Sequence, residues 1–139
     1  MKVLLAVDGS DYTRRALDYL ASHAWLRSGN QLTAFTVVLP VPHRAAAFVP
    51  SQVVQNYYRD DAEQVLRPVR ERLAGADAEV DSDYAVGRRA EAIAHKATSG
   101  GYELVVMGSH GHGALANVVL GSVATRVLAL CSTPVLLIR

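Results

Sequence analysis

Five short runs of apolar and β-branched residues alternate along this chain with four segments whose apolar side chains recur at three- and four-residue spacing, and that alternation admits few folds. Lys2 to Val7 is almost continuously apolar and ends at Asp8-Gly9-Ser10, which predicts a strand buried on both faces. Ser10 or Asp11 then caps a helix carrying Ala16, Leu17, Leu20 and Ala24 on one stripe, with Gly29-Asn30 as its stop. Gln31 to Val38 reads as a second strand broken by Pro40-Val41-Pro42, and Leu39 to Pro50 has neither period and reads as a loop. Helical spacing returns with Val54, Tyr57, Ala62, Val65, Leu66, Val69 and Leu73. Pro68 lies inside that pattern, and because an interior proline costs a helix about 3 kcal/mol, a kink or two consecutive helices are expected there.

The second half repeats the alternation. Glu79 to Val86 is a third strand, Arg88 to Thr98 a helix with Ala90, Ile93, Ala94 and Ala97 inward, and Leu104 to Met107 a compact fourth strand. A last helix beginning near Val118 or Val119 turns Val119, Val123, Val127 and Leu130 inward, before a final strand Val135-Leu136-Leu137-Ile138. Strands alternating with helices imply one α/β domain spanning residues 1–139. The expected architecture is an open, twisted, five-stranded parallel sheet of Rossmann-like type, in strand order 3-2-1-4-5, with helices on both faces. Ligands of such sheets sit outside the carboxyl ends of the strands, where the strand order reverses. Here that point lies between Asp8 and Gly108.

The residues after the fourth strand carry the chemistry. Gly108, two residues, Gly111, nine residues, Gly121 and then Ser122 form a spaced glycine set that leads into a helix. Glycine turns let backbone N–H groups approach phosphate oxygens, and a helix N-terminus adds donors and a favourable dipole. Two other phosphate motifs fail on the same residues. A lysine-bearing P-loop needs lysine at Ala114 and a hydroxyl at Leu115; a dinucleotide fingerprint over Gly111 to Ala116 has no acidic residue about 20 positions on before Arg139.

Over essentially its whole length the chain resembles the universal stress protein family. The likeness rests on Val7-Asp8-Gly9-Ser10, on Met107-Gly108-Ser109-His110-Gly111, on Gly121-Ser122-Val123-Ala124, and on Pro134 to Arg139. The ATP-binding branch of that family has the same glycine spacing, so the resemblance implies an adenine-nucleotide (ATP or AMP) binding regulator of stress responses that does not hydrolyse its ligand efficiently. It implies further that Ala6, Val7 and Asp8 border the base or ribose, that Val37 or Val38 meets the base through its backbone, and that Met107 and Gly108 border the ribose. Gly111, Gly121, Ser122 and Val123 would take the phosphates. Ala6 departs from the family pattern, where proline often stands two residues before the aspartate. The nonbinding branch supplies the alternative: a dimeric interaction or chaperone-like module with a vestigial crevice.

Chemistry sharpens these roles. Asp8 would repel a triphosphate, so it belongs at the sugar or base end, or shares a divalent cation such as Mg with the phosphates. His110 and His112 lack a third protein ligand for a transition metal and are expected to touch phosphate. The spacing in Gly108-Ser109-His110-Gly111 does not match the G-x-S-x-G turn of a serine hydrolase. No catalytic residue and no metal site are expected.

Composition bounds the partners. A net charge of +1 with evenly spread acids and bases gives no field for collecting nucleic acid, and the arginines at Arg14-Arg15, Arg67, Arg70, Arg72 and Arg88-Arg89 read as solvated helix faces without interleaved aromatics. No apolar run reaches the about 20 residues of a membrane span, and the lone Cys131 agrees with a reducing compartment, so the chain is expected to be cytoplasmic. Strand five, placed at the sheet edge by the expected order, has nothing in Val135, Leu136, Leu137 and Ile138 to blunt edge pairing, which predicts a homodimer.

Overall fold

Alternate residues of the first strand belong to different cores, and this parity organises the molecule. In the computed structural model, which describes residues 1–113 and 117–139, β1 (Lys2–Ala6) is the middle strand of a five-stranded sheet with order β3-β2-β1-β4-β5. Its neighbours β2 (Gln31–Val38) and β4 (Leu104–Gly108) are parallel to it, as are the flanking β3 (Glu79–Val86) and β5 (Val135–Ile138). Val3, Leu5 and Val7 face helices α1 (Asp11–Ser22) and α3 (Ser51–Leu73), where Leu17, Leu20, Ala62, Leu66 and Val69 meet them. Leu4 and Ala6 face α4 (Arg89–Ser99) and α5 (Ser122–Leu130), joining Phe35, Ile93, Val105, Met107, Ala124 and Val127. Burying each of the larger aliphatic side chains contributes roughly 1.5–3 kcal/mol. The expected strand order and the helices on both faces are therefore present.

Some local readings change. Ser10 caps α1 by accepting from the Thr13 N–H at 3.4 Å, but Ala24 is exposed in a short 3₁₀ turn, Ala24–Leu26, and Leu26 takes the buried place. The stretch expected as a loop before Pro50 contains a one-turn helix, α2 (His43–Ala46). Tyr58, not Tyr57, is buried, because its hydroxyl accepts the Val41 N–H at 3.0 Å while its ring joins the core. Pro68 neither ends nor divides α3, which runs as one helix of 23 residues. The proline sits on the exposed side between buried Leu66 and Val69, so packing on both sides of the break outweighs the lost backbone bond.

The last helix begins at Ser122, later than its apolar pattern suggests, and Val119 and Leu130 are exposed, the former by 88%. Ala124 and Val127 are its buried residues. Cys131, at the end of that helix, is half-buried against the α4/α5 core. Ala114, Leu115 and Ala116, which the sequence excludes from a P-loop or dinucleotide motif, lie outside the described residues. Among the described residues, no helix is long and apolar enough to cross a membrane.

Candidate functional site

A cavity of about 320 Å³ opens over the carboxyl ends of β1, β2 and β4, on the α4/α5 side of the sheet. Ala6, Phe35 and Met107 are the inward residues of three adjacent strands and form its apolar floor. One wall is α4, through Arg89 and Ile93, and the facing wall is the start of α5, through Ser122, Val123 and Ala124. The rim carries Asp8, His110, Gly111, His112 and Gly113. The size and the mixture of an apolar floor with converging polar groups suit a small organic ligand. A broader recess of about 790 Å³ at the opposite end of the sheet is bordered by Asp77, Glu79 and Glu103 against Lys2. Its excess of carboxylates disfavours an anion.

Asp8 is held by its own turn. Its Oδ1 accepts the Ser10 N–H at 2.9 Å and the Thr13 hydroxyl at 2.9 Å, while the Asp8 N–H donates to Thr13 Oγ1 at 3.0 Å. Burial pushes the carboxyl pKa up, but the bonds from Ser10 and Thr13 and the nearby His112 outweigh it, so the group stays below its ordinary value. His112 Nε2 donates to the Asp8 backbone carbonyl at 2.8 Å, tying the glycine loop to the end of β1.

The glycines are required by close approach. A Cβ on Gly111 would stand 2.6 Å from Asp8 Oδ2; one on Gly108 would stand 2.5 Å from the Tyr12 Cβ, and one on Gly121 would stand 3.0 Å from the His110 Cα. Each glycine lets one segment of the site touch another. The Gly121 N–H, expected to meet phosphate, instead donates to the Ser109 carbonyl at 2.7 Å and sets the course of the chain into α5. Among the described residues no side chain caps α5 behind it, and Ser122, Val123 and Ala124 of its first turn, whose N–H groups have no partner within the helix, line the cavity.

His110 buttresses this loop. Its Nε2 donates to the Val118 carbonyl at 2.6 Å and its Nδ1 pairs with the hydroxyl of the buried Ser109 at 2.9 Å. The ring also lies against Tyr12, with centroids 5.0 Å apart.

The structure thus brings Ala6, Val7, Asp8, Val37, Met107, Gly108, His110, Gly111, His112, Gly121, Ser122 and Val123 to one cavity. Val38 is elsewhere: it turns into the α1/α3 core, and its carbonyl accepts the Gly87 N–H at 3.0 Å. Strand parity assigns the cavity to Val37. Sequence reading missed Thr13, Phe35, Thr36, Ile93 and Arg89. For Phe35 and Thr13 a signal existed, since one is two residues before Val37 and the other is one helical turn past the cap; Arg89 belongs to no motif and only the packing of α4 reveals it. Among the described residues, no group of three histidine, cysteine or acidic side chains is placed to hold a metal.

Comparison with known proteins adds lineage to this geometry. A family model described as the universal stress protein family matches residues 1–139. A universal stress protein of Thermus aquaticus is 36% identical over 138 residues, covering 99% of this chain and 97% of its own. The universal stress protein YxiE of Bacillus subtilis is 30% identical over 146 residues, covering 99% and 98%. Among solved structures, UspA of Lactobacillus plantarum superposes with a TM-score of 0.78 at 22% identity, covering 100% of this chain and 97% of that one. An Archaeoglobus fulgidus relative in complex with dAMP gives 0.67 at 23% identity, covering 100% and 98%. An Arabidopsis thaliana relative with AMP bound gives 0.70 at 13% identity, covering 99% and 90%.

Proposed function

Because this chain belongs to the universal stress protein family over residues 1–139, we propose that it binds an adenine nucleotide, ATP or AMP, in the β1/β4 cavity and holds it as a regulatory ligand in the cytoplasm. The carrying observation is the convergence of three close-approach glycines, an uncapped α5 N-terminus and an apolar slot on one cavity. The base lies at the apolar end over Ala6, Phe35 and Val37; the ribose passes Asp8, Met107 and Gly108; the phosphates meet Gly111 and the N–H groups of Ser122 and Val123. Solved relatives bearing AMP and dAMP support the ligand class.

Asp8 is the one carboxylate among the described lining residues. A divalent cation such as Mg, if it accompanies the phosphates, would be shared between them and that single carboxylate, as hard cations at phosphate sites commonly are. Hydrolysis is slow in this reading, well below about one turnover per minute, because the described phosphate end carries no lysine or arginine to stabilise the charge of phosphoryl transfer. Two copies pair through β5, which has a strand neighbour on one side only. Mass spectrometry of the small molecule that co-purifies with the chain tests the ligand class: ATP, AMP or a related adenine nucleotide is expected. A ligand without an adenine base would overturn it, and a chain that carries no ligand and binds none would support the interaction-module alternative.

A further inference from the structure

Arg89 lines the cavity, and its guanidinium has no partner among the described residues. No hydrogen bond or ion pair holds it among the described residues, as is also true of Arg44, Arg67 and Arg88, but Arg89 is the one arginine among the described lining residues of the cavity. Its place is also locally unfavourable. Arg89 is the first residue of α4, next to Arg88, and a cation at a helix N-terminus opposes the helix dipole. Among the described residues no side chain caps this helix start. Folding therefore gains nothing visible from an arginine here.

Position indicates what it can gain from a ligand. Arg89 and Ile93 are four residues apart and share one face of α4. Ile93 packs with Phe35 and Ala6, and Val37 lies against the same core, so Arg89 rises above the apolar end of the cavity. The glycine loop and Ser122 form the other wall. A flat guanidinium over an apolar slot suits the face of an aromatic ring: it is weakly hydrated and stacks on π systems.

We propose that Arg89 lays its guanidinium on the exposed face of the bound base and closes the base end of the cavity, making it a residue that selects for an aromatic base. This rests on the nucleotide reading above and adds to it the group that recognises the base face. The phosphates play no part in this contact, so its contribution is the same for every ligand carrying the base.

Calorimetric titration of adenosine, AMP, ATP and ribose 5-phosphate into wild type, Arg89→Ala and Arg89→Lys tests the assignment. Arg89→Ala is expected to weaken adenosine, AMP and ATP by one common factor, about three- to thirtyfold, and to leave ribose 5-phosphate unchanged. Arg89→Lys restores part of the loss, since lysine keeps the charge without the plane. The ligand-free thermal midpoint should not fall in either variant, because Arg89 is exposed and unpaired among the described residues. A loss that grows from adenosine to ATP would overturn the proposal in favour of a phosphate contact. Unchanged binding of all four ligands would reduce Arg89 to a solvated arginine. If wild type binds none of them, the nucleotide reading itself fails and the assignment falls with it.

Discussion

Asp8 and the glycines around it constrain one another. The carboxylate accepts from Ser10 and Thr13 on one oxygen and lies against Gly111 with the other, so the turn after β1 and the loop after β4 are fitted together by single atoms. Because the Asp8 pKa is lowered in the folded protein, its contribution to stability is fully present above its ordinary value near 3.8 and is lost as pH falls through the folded value. Asp8→Asn should therefore be less stable than wild type near neutrality, and the gap should close as urea unfolding is repeated below about pH 4. A gap that widens in acid would contradict the hydrogen-bonded carboxylate. Much of this site was legible in the sequence because glycine spacing and an aspartate at a strand end are local signals. Val38 and Arg89 were not: one depended on the parity of β2 across the sheet, the other on how α4 leans over the cavity.

Elements show where packing overrides local preference. The order of the five strands and the four longer helices followed from periodicity, since alternate residues of β1 and most of the stripes on α1 and α4 fall as their spacing requires, while the one-turn α2 did not. Pro68 and the start of α5 did not follow. α3 keeps its helical course through Pro68 because Ala62, Leu66, Val69 and Leu73 are all buried along one side, and that burial outweighs a local cost of about 3 kcal/mol. Replacing this exposed proline should release most of the cost, offset in part by a more flexible unfolded chain. Pro68→Ala is expected to raise the unfolding free energy by about 1–3 kcal/mol, measured by urea denaturation. A loss of stability would mean that the proline's ring or fixed φ serves the packing. The valines at 118 and 119 misplace the start of α5 in the sequence, since they resemble an apolar first turn; instead Val118 takes the hydrogen bond from His110 and lines the cavity.

β3 lies at one edge of the sheet and β5 at the other. The two edges differ in character, because β3 carries the acidic residues Glu79, Asp81 and Asp83 at every second position from its start, whereas β5 is the uninterrupted Val135-Leu136-Leu137-Ile138. Acidic side chains blunt the first edge, and nothing in β5 itself blunts the second. Pairing of two copies through β5 about a two-fold axis should give a mass twice the 14.9 kDa of the chain in light scattering at micromolar concentration. Leu136→Lys should reduce it to the monomer; a monomeric wild type would rule this interface out.

Calorimetric titration of ATP and AMP into wild type and Gly111→Val tests most directly whether the cavity is a nucleotide site. Wild type should bind with micromolar affinity, on the order of −7 to −9 kcal/mol. Gly111→Val should bind neither nucleotide, since its side chain would displace Asp8 Oδ2, 2.6 Å from where the new Cβ must stand. Absence of heat from wild type at millimolar ATP and AMP, or undiminished binding by Gly111→Val, would contradict a nucleotide site.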